Sequence, residues 1–282
     1  MRILITGRHG FLARHFLNHA ITYLKASSPN YSIFYYSYRN HSISLLHGSN
    51  DEHYPNEFDL LLDIGSPTPL NSSNTADVYR RHIEDVCQIY DKYSFSRVIF
   101  TSSVSVFDYY STGLISEYSE PRPSSDYSSL KIELEKLHFR NNSFAEVHYL
   151  SALCGKSMPS TFLKKCIYTI RQNELPKVNS LSDYFNGAYP VNLYASFLLE
   201  RISAPFPDRA WNQSKFLICS HSAIEWGEIL EIICTHYHAN ELNSTIHAQI
   251  HSKALYKRLF YPINFTPIYS MSQTLSWLLH CI

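Results

Sequence analysis

Short apolar runs alternate with longer amphipathic segments along the first 150 residues. Apolar runs of four to eight residues are typical of buried strands, and apolar positions that repeat every three to four residues are typical of helices. This alternation predicts an α/β fold, a doubly wound parallel sheet (Rossmann-type) with helices on both faces. The predicted strands are residues 2–5, 31–38, 43–46, 58–64, 96–103 and 145–150, and the predicted helices begin near residue 10 and cover 75–93 and 127–139.

A glycine turn follows the first predicted strand. Gly7 and Gly10 come directly after the apolar run 2–5, and a helical pattern begins at Gly10. A strand, a glycine turn and a helix N-terminus together favour a pyrophosphate, because the unpaired N–H groups and the dipole of the helix face its charge. We therefore predict a dinucleotide-binding turn that includes Gly7, Arg8, Gly10 and Phe11.

The second predicted strand bears on the choice of cofactor. An Asp or Glu at its end would bind the ribose hydroxyls of NAD, but residues 36–39 read Tyr-Ser-Tyr-Arg. Arg39, together with Arg8, has the planar fork that suits a 2′-phosphate. The sequence thus favours NADP(H), with NAD(H) possible. Gly65, just after the strand 58–64, would allow close approach of the cofactor.

Polar residues with acid–base potential follow the strand 96–103. Ser103 ends that strand, where ligands lie in open α/β sheets. Tyr127 and Lys131 are four residues apart at the start of a predicted helix and so share one face. A lysine ammonium beside a phenol would lower the phenol pKa and make Tyr127 a usable acid–base group.

Composition and charge narrow the class of protein. The 282 residues carry no net charge at neutral pH, which gives no general attraction to nucleic acid or to an anionic membrane. No apolar run reaches the roughly 20 residues of a membrane span. We expect residues 2–5 to be a core strand and not part of a signal peptide, and the six scattered cysteines to be those of a cytoplasmic protein. We also expect no metal site, because the pairs His15/His19 and His236/His238 have no third ligand nearby in sequence.

The sequence resembles the extended short-chain dehydrogenase/reductase family, of the NAD-dependent epimerase/dehydratase type that acts on nucleotide sugars. The resemblance implies that Tyr127 is the catalytic acid/base. It further implies that Lys131 binds the nicotinamide ribose and tunes Tyr127, and that Ser103 hydrogen-bonds the reacting oxygen. The segments that carry the resemblance are residues 6–10, 100–107 and 127–131.

The same resemblance implies the domain organisation and the substrate. Residues 1–154 would form the dinucleotide-binding core, and residues 155–282 mainly a small C-terminal substrate-binding lobe, with some segments returning to the core. The expected function is reduction of a nucleotide-linked keto-deoxysugar for a surface polysaccharide, with a nucleotide-sugar 4-epimerase as the alternative. A homodimer is expected, paired through the helices 75–93 and 127–139.

Departures from the family pattern leave a further alternative open. Ala13 stands in place of the last glycine, Cys154 in place of a tyrosine, and Asn192 in place of an aspartate. With these changes a non-catalytic NAD(P)-binding regulatory protein is an alternative of another class. Val104 and Ser105 follow Ser103 where the dehydratases of the family have Asp and Glu, so we do not expect 4,6-dehydration.

Overall fold

A computed structural model of the chain describes residues 1–27, 31–48, 55–68, 76–108, 112–159, 161–178, 180–204, 213–249, 257–262, 264–265 and 269–281. Strand and helix alternate through its first part. The elements are β1 (Arg2–Ile5), α1 (Phe11–Ser27), β2 (Ser32–Ser37), β3 (Ser42–His47), β4 (Glu57–Asp63), α2 (Ala76–Lys92), β5 (Ser94–Ser103), β6 (Thr112–Ile115), α3 (Asp126–Asn141) and β7 (Ala145–Leu150). A single 3₁₀ turn, Val104–Phe107, follows β5 directly.

Shorter strands and more helix make up the remainder. The elements there are β8 (Ala152–Cys154), α4 (Phe162–Arg171), β9 (Tyr184–Phe185), β10 (Ala188–Pro190), α5 (Val191–Ser203), β11 (Ser214–Ile218), β12 (Ile224–Glu225), α6 (Trp226–His236), α7 (Asn240–Gln249), β13 (Lys257–Phe260) and α8 (Met271–Cys281). Among the helices described, none is both long and apolar enough to traverse a bilayer.

Seven strands form the central sheet, in the order β11-β7-β5-β4-β1-β2-β3. From β1 the chain builds outward through β2 and β3, and then returns to the other side of β1 with β4 and β5. The carboxyl ends of β1 and β4 therefore flank the point where the strand order reverses, which is where ligands bind in such sheets. This confirms the predicted doubly wound architecture.

The central sheet is mostly parallel, with an antiparallel strand at one edge. β1 pairs in parallel with β2 and β4, and β4 pairs in parallel with β5. β3, however, pairs antiparallel with β2. The connection between β2 and β3 is too short for a crossover helix, so the two strands can only turn back on each other.

The chain divides into two compact units that interleave along the sequence. Unit 1 contains residues 1–106, 121–149 and 191–216, and unit 2 contains residues 107–120, 150–190 and 217–282. The predicted boundary at residue 154 thus lies close to residue 150, one of the positions at which the chain passes from one unit to the other. The role of each unit stays a prediction.

The apolar faces of α2 and α3 lie within the core of unit 1. Tyr79, Val86 and Ile89 of α2 are buried, as are Leu130 and Leu134 of α3. A helix in an α/β layer buries one such face against the sheet. These stripes therefore give no separate argument for a partner chain, and the homodimer stays a prediction.

Candidate active site

The glycine turn after β1 is held against the end of β4. Gly7 has φ +66°, a conformation that glycine adopts without strain, and its carbonyl accepts a 2.8 Å hydrogen bond from the N–H of Gly10. A Cβ placed on Gly7 would lie 2.3 Å from the Cα of Gly65. Because no side chain fits there, both positions require glycine. α1 begins at Phe11, so its first turn opens directly from the turn.

The structure gives a reason for glycine at position 65 that differs from the one predicted from the sequence. A Cβ on Gly65 would lie 2.4 Å from the backbone nitrogen of Gly7. The missing side chain therefore makes room for the backbone of the glycine turn that follows β1. The predicted close approach of a cofactor to Gly65 stays a prediction.

Ser103 stands half-buried where β5 gives way to the 3₁₀ turn. Its Oγ accepts a hydrogen bond of 3.2 Å from the backbone N–H of Ser105. A hydroxyl has one proton to donate, and this contact occupies only a lone pair. Ser103 can therefore also donate its proton, and it forms a hydrogen bond with the side chain of Tyr127.

Tyr127 is fixed by the way in which α3 begins. Ser125 is the N-cap residue, and its side chain accepts from the N–H of Ser128 while the Ser128 side chain accepts from the N–H of Ser125. This reciprocal cap satisfies two backbone donors and sets the start of the helix. Tyr127 therefore lies in the first turn of α3, with its ring 6.3 Å from the ring of Tyr79 on α2.

Lys131 follows one turn later on α3 and is almost completely buried. Its Nζ donates to Ser66 Oγ at 2.8 Å and to the backbone oxygen of Thr101 at 2.7 Å. The same atom lies 5.9 Å from the centre of the Tyr127 ring. The lysine thus links α3 to the ends of β4 and β5, and the three residues predicted from the sequence converge at the carboxyl ends of these strands.

The prediction that Lys131 lowers the pKa of Tyr127 is wrong. Burial raises the pKa of Tyr127 to about 12, although the hydrogen bond with Ser103 opposes the rise. Burial also lowers the pKa of Lys131 to about 8, opposed by the charge of Asp63. The pKa of Tyr127 is therefore set mainly by burial, and Lys131 is not among its causes.

The two arginines proposed for cofactor choice have different surroundings. The guanidinium of Arg8 lies 3.9 Å from the centre of the Tyr35 ring on β2, a cation–π contact, and its Nε is 2.9 Å from His9 Nε2. Arg39 is exposed in the turn that follows β2. Arg8 is therefore held at the end of β2, whereas Arg39 is a surface residue.

Comparisons with known proteins identify the fold. The sequence matches no family model and no curated protein. Solved structures resemble the chain over nearly its whole length, and three of them serve as examples. They are a UDP-glucose 4-epimerase with UDP-glucose from Thermotoga maritima (14% identity, 99% of this chain and 98% of that chain, TM-score 0.69), a dTDP-glucose 4,6-dehydratase with NAD from Bacillus anthracis (14%, 99% and 96%, 0.66) and a dTDP-4-dehydrorhamnose reductase from Clostridium acetobutylicum (16%, 96% and 89%, 0.60).

The chain shares the Rossmann-type fold of these three structures. At these identities the likeness is one of fold. The contacts of Lys131 with Ser66 and Thr101, and of Gly7 with Gly65, lie at the carboxyl ends of β1, β4 and β5. The roles of Tyr127, Lys131 and Ser103 stay predictions that this placement supports.

Two residues that the sequence reasoning missed lie beneath the site. Asp63, the last residue of β4, and His138 on α3 are both buried, with Asp63 Oδ2 2.9 Å from His138 Nε2. The available signal was a carboxylate at the end of an apolar strand and a histidine between Leu137 and Phe139. Within the described ranges, no group of three His, Cys, Asp or Glu side chains could hold a metal ion.

Proposed function

We propose that the protein is an NAD(P)(H)-dependent reductase of a nucleotide-linked keto-deoxysugar. The observation that carries this proposal is the convergence of Tyr127, Lys131 and Ser103 at the carboxyl ends of β4 and β5, beside the glycine turn. A phenol, an ammonium and a hydroxyl so arranged can move one proton to a carbonyl oxygen. The Rossmann-type fold, shared with a nucleotide-sugar reductase and an epimerase, supports the substrate class.

The residues of the turn fit a dinucleotide. Gly10 is exposed, and a Cβ there would lie 3.1 Å from the Gly7 carbonyl oxygen, so the turn is narrow and has no side chain at that point. The pyrophosphate would bind at the N–H groups that open α1, near Gly7, Gly10 and Phe11. When bound, the nicotinamide supplies or takes the hydride.

The side chains of the site would divide the remaining work between them. An ammonium has three N–H groups, and Ser66 and Thr101 use two of those on Lys131, so the third is assigned to a ribose hydroxyl. Ser103 would donate its proton to the substrate oxygen and so hold it beside the phenol. Tyr127 would then deliver its proton to that oxygen as the hydroxyl forms.

NADP(H) is the cofactor that the arginines favour. Residues 36–39 at the end of β2 carry no carboxylate that would repel a 2′-phosphate. Arg8, held against Tyr35, and Arg39, free to reorient at the surface, are the groups proposed to bind it. The neighbour from Bacillus anthracis contains NAD, so NAD(H) is the alternative cofactor.

The decisive experiment is oxidation of NADPH and of NADH by the purified protein with a panel of keto-sugar nucleotides. We expect turnover with at least one 4-keto-6-deoxy sugar nucleotide. The matched control is Tyr127→Phe, which keeps the ring and should lower kcat by roughly 10²–10⁴-fold with cofactor affinity nearly unchanged. Unchanged turnover in this variant would refute the role of Tyr127.

The competing activity is 4-epimerisation, because the solved structures that share the fold include an epimerase as well as a reductase. An epimerase returns its hydride, so it would interconvert UDP-glucose and its 4-epimer with no net oxidation of cofactor. Such interconversion, without turnover of any keto sugar, would replace the reductase proposal. Binding of cofactor with neither activity would favour the non-catalytic alternative.

A further inference from the structure

Asp63 joins three parts of the candidate site. Its Oδ1 accepts a hydrogen bond of 2.6 Å from Thr6 Oγ1 at the end of β1, and its Oδ2 lies 2.9 Å from His138 Nε2 on α3. Its backbone oxygen accepts from Thr101 Oγ1 on β5 at 3.3 Å. All four residues are buried. One residue at the strand-order reversal therefore contacts both neighbouring strands and the helix of the proposed acid/base.

The charge on Asp63 sets the direction of these hydrogen bonds. Burial alone would raise the pKa of this carboxyl, but the hydrogen bond and charge of His138, with smaller contributions that include Thr6, lower it to about 2. An ionised carboxylate only accepts, so Thr6 and His138 Nε2 must both donate to it. Nε2 of His138 therefore carries a proton.

Thr6 links the carboxylate of Asp63 to the glycine turn. Because its one proton goes to Asp63, its oxygen is free to accept, and it accepts from the N–H groups of Ile64 at 3.1 Å and Gly65 at 2.9 Å. These bonds hold the end of β1 against the segment after β4, where Gly7 and Gly65 touch. The carboxylate thus helps to fix the turn that is proposed to receive the pyrophosphate.

His138 links the carboxylate of Asp63 to α3. It follows Tyr127 by eleven residues and Lys131 by seven, so all three lie on one face of α3. Its other ring nitrogen, Nδ1, is 2.7 Å from the hydroxyl of Tyr90 on α2, and its ring lies 4.7 Å from that of Phe100 on β5. His138 is therefore an anchor for the face of α3 that carries the proposed catalytic groups.

We propose that Asp63 and His138 are positioning residues that couple the glycine turn to the helix bearing Tyr127 and Lys131. This coupling rests on the proposed function. It keeps a cofactor that is bound at the glycine turn correctly positioned relative to Tyr127, the proposed proton donor. Neither residue is assigned a contact with the substrate or cofactor. Their effect passes through Thr6 on one side and through α3 on the other.

The test measures cofactor dissociation constants and steady-state rates at pH 7, so that the effect through Thr6 can be distinguished from the effect through His138. We expect Thr6→Val to weaken cofactor binding by about tenfold with a smaller change in kcat, because it releases the turn. We expect His138→Phe, which keeps the ring but cannot donate to Asp63, to lower kcat by roughly 10-fold to 100-fold with cofactor affinity within about threefold. Asp63→Ala should lower both quantities.

Conservative variants distinguish positioning from a general loss of structure. Thr6→Ser keeps the hydroxyl, so its cofactor affinity should be within about threefold of wild type. His138→Gln keeps a donor to Asp63, so its kcat should be within about threefold of wild type. In Asp63→Asn the amide oxygen can accept from Thr6 while its N–H donates to the other tautomer of His138, so it too should resemble wild type. These variants also guard against a result caused by misfolding.

The outcomes also separate this proposal from the proposed function. If wild type binds no nicotinamide dinucleotide, the proposed function fails and the coupling fails with it. If wild type binds cofactor and Thr6→Val, His138→Phe and Asp63→Ala lower only the melting temperature, the proposed function stands and the positioning role is refuted. If wild type binds cofactor without turning over any sugar, unchanged cofactor affinity in Thr6→Val and Asp63→Ala refutes the coupling.

Discussion

Asp63 and Glu146 are two of the buried carboxylates in unit 1, and different partners keep the pKa of each one low. Burial raises the pKa of each, and hydrogen bonds and nearby charges lower each to about 2. Asp63 receives hydrogen bonds from His138 and the hydroxyl of Thr6. Glu146 is paired with two guanidinium groups, from Arg97 and Arg201, and lies 3.5 Å from His148.

The difference lies in what the partners are attached to. Arg97 on β5 also donates to the backbone oxygen of Arg201, so the Glu146 cluster ties two strands to α5. Glu146 is the second residue of β7, far from the carboxyl end of that strand, whereas Asp63 ends β4. A buried charge alone therefore does not mark a functional site. Partners that belong to the site, such as Thr6 and the helix of Lys131, are what distinguish Asp63.

The largest effect should come from breaking the Glu146 cluster. Glu146→Ala leaves the buried guanidinium of Arg97 and the half-buried one of Arg201 without their carboxylate, and breaking a buried ion pair in this way typically costs about 3–5 kcal/mol of stability. Urea unfolding would measure this loss. The kcat of the folded fraction should stay within about twofold of wild type, since the cluster contacts no proposed catalytic group. A loss below about 1 kcal/mol would show that the arginines find other partners.

Acid should weaken both clusters through their buried histidines. Burial lowers the pKa of His82, which is near Asp63, to about 4, and burial also lowers the pKa of His148. The unfolded chain protonates these rings below about pH 6.5 while the folded protein keeps them neutral, so the free energy of unfolding falls as the pH falls from 6.5 toward 4. For His82 the full loss is on the order of 3 kcal/mol.

Two variants would test this pH dependence in urea titrations at several pH values. His82→Phe keeps a ring beside Tyr38 but cannot titrate, so the slope of stability against pH should become smaller. His236→Gln changes an exposed histidine and should leave the slope unchanged. An identical slope in wild type and His82→Phe would refute the assignment to His82.

Removing only the charge should affect Asp63 less than Glu146. Asp63→Asn keeps its two side-chain hydrogen bonds if His138 changes tautomer, so we expect a loss of about 1–2 kcal/mol. Glu146→Gln turns an amide N–H₂ toward donors that cannot accept, so its loss should be larger, about 3 kcal/mol. Equal losses in the two variants, measured by urea unfolding, would erase the distinction between the clusters.

The smallest effect on stability should come from the exposed Arg39. Arg39→Ala is expected to change unfolding by less than about 0.5 kcal/mol, in contrast to both buried clusters. It should nevertheless reduce the preference for NADP(H) over NAD(H) by roughly fivefold to tenfold, which corresponds to about 1–1.4 kcal/mol, the net contribution of an ordinary hydrogen bond. Dissociation constants for both cofactors measure the ratio. A preference for NAD(H) in wild type would contradict the cofactor proposal.

Local patterns predicted most of the framework. The bounds of β1 and β7 match their predicted ranges, and α2, α3 and β5 differ from theirs by two residues or fewer at each end. These elements carry their signal in their own apolar period. Likewise, the spacing of Tyr127 and Lys131 and the strand end at Ser103 are local features that could be read directly from the sequence.

Contacts between distant residues could not be predicted in the same way. The pairing of Asp63 with His138 spans 75 residues, and the contact of Gly7 with Gly65 spans 58. The pKa of Tyr127 depends on burial, which no spacing reveals, and so the predicted direction was wrong. β3 was predicted as a strand, but its antiparallel direction was not, because its short apolar run has the same pattern in either direction.

The position of β11 has a consequence for synthesis on the ribosome. This strand borders β7 at the edge of the central sheet, yet residues 214–218 emerge more than sixty residues after β7. Until then β7 offers an open edge to any other strand nearby, and Glu146 has emerged without Arg201. Nascent chains that stall between residues 150 and 200 would thus be the ones most in need of a chaperone.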